Sequence, residues 1–131
     1  MAFSAIYPIA QRSEYDCAQC CLAMVLQVGY EEVGRVFSAT LRRGMTADDL
    51  KKTAKKLGYR LESYKGDKWD RNPDDSPSVL FVSKGRGAWH AVVSFCGVIY
   101  NPADATLWER EAFLGRGFKV RNTFTPRELT D

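Results

Sequence analysis

The sequence contains a single histidine, no long apolar run and only a small excess of positive charge. Its 131 residues include 19 Lys and Arg against 16 Asp and Glu, for a formal net charge of +3. The charges are scattered, which argues against a nucleic-acid-binding surface, and no apolar run approaches the ~18 residues that a membrane-spanning helix needs. A secretory signal is also lacking at the N-terminus. We therefore expect a cytoplasmic protein that binds no nucleic acid and has no membrane span.

The composition is that of an ordinary globular domain, with 45% hydrophobic and 27% charged residues. A chain of this length can bury a core without disulfides or metal ions. We expect one domain over residues 1–131, with the tail from about residue 126 frayed. Four cysteines without a secretory signal indicate free thiols in a reducing compartment.

Helical patterns occupy the first half of the chain. Apolar residues spaced i, i+3, i+4 and i+7 predict a helix over 17–28, with Asp16 as its N-cap. This helix is apolar nearly all round, which indicates a central, buried position. A second helix is predicted at 30–39, and a third begins at the Thr46 cap and ends at Gly58.

Strand patterns occupy the second half. We predict strands over 59–64, in the apolar runs between 78 and 101, and over 118–124. A polar loop covers 66–77, and residues 107–114 are compatible with one or two helical turns. Helices followed by strands indicate an α+β fold, in which the central buried helix packs on an antiparallel sheet.

Three of the four cysteines lie within five positions at the start of the first predicted helix. Cys17 and Cys20 have the spacing of a zinc knuckle, but the sequence has no second paired knuckle. A dithiol redox pair would follow the strand of a βαβ unit, and no strand is predicted here. Cys20 and Cys21 fall inside the helix and are expected in the core. Cys17 opens the helix, where the positive end of the helix dipole favours a thiolate.

The only histidine, His90, lies in an apolar run that is soon followed by Asn101. A hairpin turning at residues 95–96 places the two directly opposite each other, and a turn at 96–97 makes them diagonal neighbours on the same face. An amide oxygen that accepts from one ring nitrogen leaves the other nitrogen to face a thiol. Asp104 is the alternative partner of His90, although its side chain would point to the opposite face of the sheet if the strand continued to this residue.

Gln11 lies just ahead of the helix, where its side-chain amide and the backbone N–H of Cys17 form a pair of oxyanion donors. Cysteine, histidine and asparagine then have the roles of nucleophile, base and orienting residue. The pattern predicts acyl transfer from a peptide or isopeptide bond of a peptide or protein substrate, without a metal ion or cofactor. Two other classes remain open. One is a degenerate domain that binds a peptide or protein partner, or an acyltransferase with the same triad; the other is a metal or redox module that uses the clustered cysteines.

These residues together resemble the papain-like cysteine peptidases that process bacteriocin leaders at a double-glycine site. That family has a Gln a few residues ahead of an Asp-Cys helix start and a Cys-Leu pair inside the helix, as in "QRSEYDCAQCCL" (11–22) here. The third helix with its terminal Gly58, and the segments "PSVLFVS", "WHAVVSF" and "GVIYNP", resemble the later motifs. The likeness extends over about residues 8–104.

The resemblance implies a papain-like fold and a cysteine peptidase activity. It makes Cys17 the nucleophile, His90 the base and Gln11 the oxyanion donor. Asn101 takes the place of the third triad member, where the family usually has Asp.

Two features depart from the family pattern. Ala18 and Gln19 follow the cysteine, where the family has Gly and a small residue, and Trp89 directly precedes the histidine. Both differences concern the walls of the expected cleft.

Overall fold

The computed structural model describes residues 6–13, 15–37, 44–66 and 76–128, and it contains a six-stranded antiparallel sheet with helices on both faces. The helices are α1 (Cys17–Leu26), α2 (Tyr30–Val36), α3 (Ala47–Lys56) and α4 (Arg110–Leu114). The strands are β1 (Tyr59–Lys65), β2 (Ser78–Lys84), β3 (His90–Phe95), β4 (Val98–Asn101), β5 (Thr106–Glu109) and β6 (Phe118–Glu128), arranged in the order β1-β6-β2-β3-β4-β5. The predicted α+β fold is confirmed.

The two faces of the sheet are covered unequally. Side chains alternate between the faces of a strand, so Phe81 of β2 joins the larger core cluster with α1, α2 and α3, whereas Leu80 and Val82 join a smaller one. The smaller cluster is closed by Phe113 of α4. No helix among the described residues is long and apolar enough to span a membrane.

Helix α1 lies in the larger cluster, and all of its residues except Cys17 and Gln19 are buried. The sequence predicted this helix to continue to residue 28, but it ends at residue 26. Gln27 adopts a left-handed conformation (φ 55°), and the backbone N–H of Val28 donates back to the carbonyl of Ala23 at 3.1 Å. This backbone geometry satisfies an end carbonyl and ends the helix early.

The two predicted N-caps have different outcomes. Thr46 accepts from the backbone N–H of Asp49 at 3.1 Å, and the Asp49 carboxylate accepts from the backbone N–H of Thr46, so α3 begins with a capping box. Asp16 stands at the N-cap position of α1 but makes no side-chain capping bond. That part of the prediction is wrong, because the carboxylate accepts from groups outside the helix instead.

Three other boundaries differ from the sequence prediction. Helix α2 ends at Val36 instead of 39, and residues 107–109 belong to a strand, since β5 pairs with β4 before α4 begins. The tail is not frayed from residue 126: Pro126 lies opposite Leu61, and β6 stays paired with β1 to Glu128. Residues 38–39, 67–75 of the predicted polar loop, and 129–131 lie outside the described part of the chain.

The β3–β4 hairpin turns at Cys96 and Gly97, which is the second of the two registers considered. Both residues have positive φ angles, 52° and 76°, as a two-residue turn of the primed type requires. Phe95 pairs with Val98 across this turn. The register brings the end of β4 back towards the start of β3, which is the edge where the candidate site lies.

Candidate active site

The candidate site forms where the N-terminal end of α1 meets the start of β3. Cys17 is the first residue of α1, and its side chain is half-buried. His90 is the first residue of β3, against which α1 packs. The Cys17 thiol and the His90 ring lie close enough that each changes the pKa of the other. The fold therefore brings together the cysteine and the histidine that the sequence singled out.

The second nitrogen of the imidazole is held by Asn101, the last residue of β4. His90 Nε2 and Asn101 Oδ1 are 2.8 Å apart. The same Oδ1 accepts from the backbone N–H of Ala103 at 3.1 Å, which identifies it as the acceptor, so Nε2–H is the donor. The other ring nitrogen, Nδ1, is thereby left for the thiol of Cys17.

The surroundings of this pair favour a charged thiolate and a charged imidazolium. Burial opposes a low pKa at Cys17, but hydrogen bonds from His90 and from the backbone of Ala91, with the positive charge of His90, bring the pKa below its ordinary value of 9.0. Burial likewise opposes a high pKa at His90, but the hydrogen bonds to Cys17 and Asn101 raise it above 6.5. The two shifts point in the directions that an ion pair requires.

The other cysteines of α1 lack this chemistry. Both are fully buried. Burial, with the negative charge of Asp16, raises the pKa of Cys20 to about 12, and burial raises the pKa of Cys21 well above its ordinary value. Among the described residues no disulfide links two cysteines, and no three Cys, His, Asp or Glu side chains are arranged to hold a metal ion.

Gln11 lies close to the same edge of the sheet. Its backbone N–H donates to the carbonyl of Pro102 at 2.7 Å, which ties the segment before α1 to the residue after Asn101. The side-chain Nε2 donates to the carbonyl of Ser13 at 2.9 Å. Because an amide nitrogen carries two protons, this bond leaves a second donor for another acceptor.

Asp104 occupies a different position from Asn101. Its carboxylate accepts from the backbone N–H of Thr106 at 3.1 Å and from the hydroxyl of the same residue at 2.6 Å. It affects His90 only through its charge, the last of the causes that raise the histidine pKa. The amide therefore makes the direct contact with the imidazole, and the carboxylate stabilises the turn after β4.

A hydrogen-bond network around Asp16 was not recognised from the sequence. The buried carboxylate accepts from the backbone N–H groups of Arg12 (2.9 Å) and Ser13 (3.2 Å) and from the hydroxyl of Tyr30 (2.6 Å). These bonds lower the pKa of Asp16 despite its burial. The network fixes the segment that follows Gln11 against the start of α2. The sequence signal was an acidic residue directly before the helix, which was interpreted as a cap.

A cavity of about 330 Å³ opens beside the Cys17 and His90 side chains. Apolar residues from the start of α3 and from β2 and β3 form most of its walls. Trp89, directly before His90, lines the cavity with 57% of its surface exposed. The sequence indicated that Trp89 alters the cleft walls, but not that a cavity lies beside it.

The chain is similar to known peptidase domains. The sequence matches the model of the Peptidase C39 family over residues 5–113. The peptidase domain of Streptococcus ComA, a bi-functional ABC transporter involved in a quorum sensing pathway, has a TM-score of 0.69 and 22% identity, covering 95% of this chain and 100% of that domain. No significant match is found among curated proteins.

Two further structures have the same fold. The peptidase domain of Streptococcus mutans ComA has a TM-score of 0.67 and 24% identity, covering 92% of this chain and 98% of that one. A double glycine motif protease from an AMS/PCAT transporter, in complex with the leader peptide, has a TM-score of 0.64 and 23% identity, covering 96% of this chain and 95% of that one. The predicted papain-like fold is confirmed by these similarities.

Proposed function

The chain belongs to the Peptidase C39 family and is a cysteine peptidase, and we propose that Cys17, His90 and Asn101 form its catalytic triad, with Gln11 as an oxyanion donor. The observation that carries this proposal is the arrangement of the three side chains: Cys17 and His90 line the same cavity, and His90 Nε2 is 2.8 Å from Asn101 Oδ1. The pKa shifts agree with it, because the pKa of the thiol falls below its ordinary value while the pKa of the imidazole rises above its own. A buried structural cysteine has the reverse shift, as Cys20 does.

The proposed reaction begins with attack of the Cys17 thiolate on the carbonyl carbon of the scissile peptide bond. The carbonyl oxygen becomes an oxyanion, which accepts hydrogen bonds from the backbone N–H of Cys17 and from the side-chain amide of Gln11. The His90 imidazolium gives its Nδ1 proton to the leaving amine as the carbon–nitrogen bond breaks. An acyl-enzyme thioester remains on Cys17.

Water completes the cycle. Neutral His90 now takes a proton from a water molecule that attacks the thioester, and the acid product leaves as the thiolate is restored. Asn101 keeps the imidazole in the same plane and tautomer in both steps, because its carbonyl oxygen can only accept a hydrogen bond and so holds a proton on Nε2. The nucleophile must stay reduced, which supports a cytoplasmic location.

We place the substrate among peptides and proteins. The fold is shared with a double glycine motif protease that was solved in complex with the leader peptide, which supports a peptide substrate for this chain. A protein that only binds peptides gains nothing from a lowered thiol pKa, so the shift at Cys17 favours a catalytic domain over a degenerate one. Hydrolysis and acyl transfer to another acceptor share every step up to the thioester.

The test is alkylation by a small dose of iodoacetamide, followed by intact mass measurement and peptide mapping. In the wild-type protein we expect Cys17 to react well ahead of the solvent-exposed Cys96, which serves as the internal reference. The rate at Cys17 should rise with pH through a midpoint below 9.0, because the thiolate is the reacting form. In His90→Ala the midpoint should move upwards, since burial then acts without the imidazolium.

Equal labelling of Cys17 and Cys96, with a pH profile that the His90→Ala substitution leaves unchanged, contradicts the triad. Labelling of the buried Cys20 and Cys21 reports unfolding of the helix and identifies any sample that must be discarded.

A further inference from the structure

The Cys-Ala-Gln-Cys motif (17–20) at the start of α1 contains a second thiol for which the proposed reaction has no use. Cys17 is the first residue of α1, and Cys20 lies one turn further along the helix. The backbone N–H of Cys20 donates to the carbonyl of Asp16 at 3.0 Å, so this turn is regular helix. Both cysteines are free thiols, and Cys20 is fully buried.

The two cysteines are close enough to be joined by a disulfide. Cα atoms three residues apart in an α-helix are separated by about 5 Å, and disulfides join Cα atoms separated by ~4.4 to 6.8 Å. The negative charge of Cys17 is among the influences that raise the pKa of Cys20, which agrees with a short distance. The first N–H groups of a helix have no partner inside it, so Cys17 can shift towards Cys20 without losing a helical bond from its own N–H.

The surroundings of the two thiols differ in the way that an oxidation-sensitive pair requires. Cys17 is half-buried and borders the cavity, so a small oxidant reaches it, and an accessible thiolate is the form that is oxidised. Cys20 is closed off from solvent and can be oxidised only through Cys17. The Cys20 thiol donates to Asp16 Oδ2 at 4.0 Å, and this carboxylate is a nearby acceptor for the proton that Cys20 must lose.

We propose that a peroxide oxidises Cys17 and that Cys20 then forms a disulfide with it, which blocks the nucleophile reversibly. The inference rests on the proposed function, because Cys17 must be a reactive thiolate. The disulfide protects the enzyme, since a sulfenic acid that finds no second thiol is oxidised further to a sulfinic acid, which thiols do not reduce.

The reaction has two steps. The Cys17 thiolate attacks one oxygen of the peroxide, the O–O bond breaks, and the leaving hydroxide takes a proton from the His90 imidazolium to become water. The sulfur of Cys20 then attacks the sulfenic sulfur of Cys17, the S–O bond breaks, and the hydroxide leaves as a second water with the proton of Cys20. Two electrons pass from the two thiols to the peroxide, and a dithiol reductant restores both thiols by exchange.

The test treats the whole reduced chain with a few equivalents of hydrogen peroxide, then denatures it and labels the remaining thiols with N-ethylmaleimide. Trypsin releases the three cysteines of α1 in one peptide, residues 13–35. We expect this peptide to lose two hydrogen atoms and to carry a single label, which fragmentation locates on Cys21. Dithiothreitol added before the maleimide should restore three labels.

Two matched variants identify the thiol that reacts with oxidised Cys17. Cys20→Ala and Cys21→Ala make the same change at adjacent, fully buried positions. After peroxide and then dithiothreitol, the wild-type protein and Cys21→Ala should regain nearly all of the iodoacetamide labelling at Cys17. Cys20→Ala should label normally before peroxide but should lose most of this reactivity permanently, because its sulfenic acid has no partner.

The outcomes separate this inference from the triad. A Cys17 that reacts fast and depends on His90, but is oxidised without forming the disulfide, overturns the inference and leaves the triad standing. A label found on Cys20 of the oxidised wild-type peptide, or full recovery of Cys17 in Cys20→Ala, also overturns it. The wild-type fragmentation decides even where a variant does not fold. A Cys17 no more reactive than Cys96 towards iodoacetamide overturns the triad, and the inference falls with it.

Discussion

The first two turns of α1 each contain a cysteine, and the pKa values of the two thiols are shifted in opposite directions. Cys17, at the helix start, is half-buried and faces the imidazole of His90, and its pKa falls. Cys20 lies one turn further on, fully buried beside the Asp16 carboxylate, with a pKa of about 12. The helix and the residue type are the same, but the exposure of the two thiols and the groups that face them differ: His90 and backbone N–H donors at Cys17, and a carboxylate at Cys20.

Burial alone therefore does not predict thiol reactivity in this protein. Burial is the largest single influence on the pKa of both Cys17 and Cys20, and in both it acts upwards. At Cys17 a positive partner and backbone N–H donors outweigh it, whereas at Cys20 a carboxylate reinforces it. The positive charge of Arg12 also acts on Cys20, where it lowers the pKa, but burial and the Asp16 carboxylate outweigh it.

The largest effect is expected from replacing Cys17, the cysteine with the lowered pKa. Cys17→Ser should lower peptide cleavage by a factor on the order of 10⁴ or more, because a hydroxyl is a far weaker nucleophile than a thiolate. The matched Cys20→Ser variant removes a thiol one turn away and should retain cleavage. Steady-state kinetics on a processed peptide, with circular dichroism to verify folding, provides the measurement. Equal losses in both variants would show that the two turns do not differ in function.

The next largest effect concerns the oxyanion donor rather than the thiol. Gln11→Ala should lower kcat about a hundredfold, which corresponds to about 3 kcal/mol of lost oxyanion stabilisation. Alkylation of Cys17 should continue at the wild-type rate, since the thiol pKa does not depend on this amide. Gln19→Ala is the control, because Gln19 also presents an amide near the site but donates to the carbonyl of Tyr30. A similar loss in both variants would argue for a packing defect.

A smaller effect is expected from the residue that orients the imidazole. Asn101→Ala should lower kcat roughly tenfold, a part of the ~10² to 10⁴ that general acid–base catalysis supplies, because Nε2 loses its acceptor. The pKa of His90 should fall as well, so the alkaline limb of the pH–rate profile should move to lower pH. Asp104→Asn should shift this limb less and retain most of kcat. The opposite ranking would make Asp104 the third member.

The smallest effect on turnover is expected from the network that fixes the helix start. Tyr30→Phe removes the hydroxyl that donates to Asp16 at 2.6 Å and should lower the free energy of unfolding by about 1.5 kcal/mol. Two backbone N–H donors still hold the carboxylate, so kcat should change less than in Asn101→Ala. Chemical denaturation and kinetics on the same sample measure both quantities. A loss of activity without loss of stability would give the Tyr30 hydroxyl a direct role in catalysis.

Local patterns in the sequence predicted much of the fold. The period of apolar residues located α1 and α3, and the capping signal at Thr46 was confirmed because its acceptor and donor lie within four residues of each other. Asp16 stands at the N-cap position of α1, but its expected side-chain capping bond is absent, for the opposite reason. Its carboxylate is used by Tyr30 of α2 and by the segment before α1, and a pattern along one helix does not reveal such partners.

Long-range pairing explains the remaining differences. The end of β6 carries the turn and strand-breaking residue Pro126, so its local pattern suggested a frayed tail, yet β1 pairs with it to Glu128. The segment at 107–109 has the composition of a helical turn but pairs with β4 as a strand. In both places an adjacent strand supplies hydrogen bonds that outweigh local preference.

The sequence by itself determined which groups were available. They are the single imidazole of His90, the thiol of Cys17 at a helix start, and the amide of Asn101. Either of the two hairpin registers considered leaves Asn101 on the same face of the sheet as His90. Their roles remain predictions until they are tested by substitution. The face of a strand to which a side chain points, and the position of a residue along a helix, are local properties. For this reason they could be predicted from neighbouring residues in the sequence.

The tertiary structure alone decided that the Cys17 thiol meets the His90 imidazole, that Asn101 rather than Asp104 contacts the ring, and that an apolar cavity opens beside them. A thiol pKa depends on the charges and dielectric within a few ångströms. Here those neighbours come from β3 and β4, far along the chain, so packing of the helix on the sheet sets the chemistry.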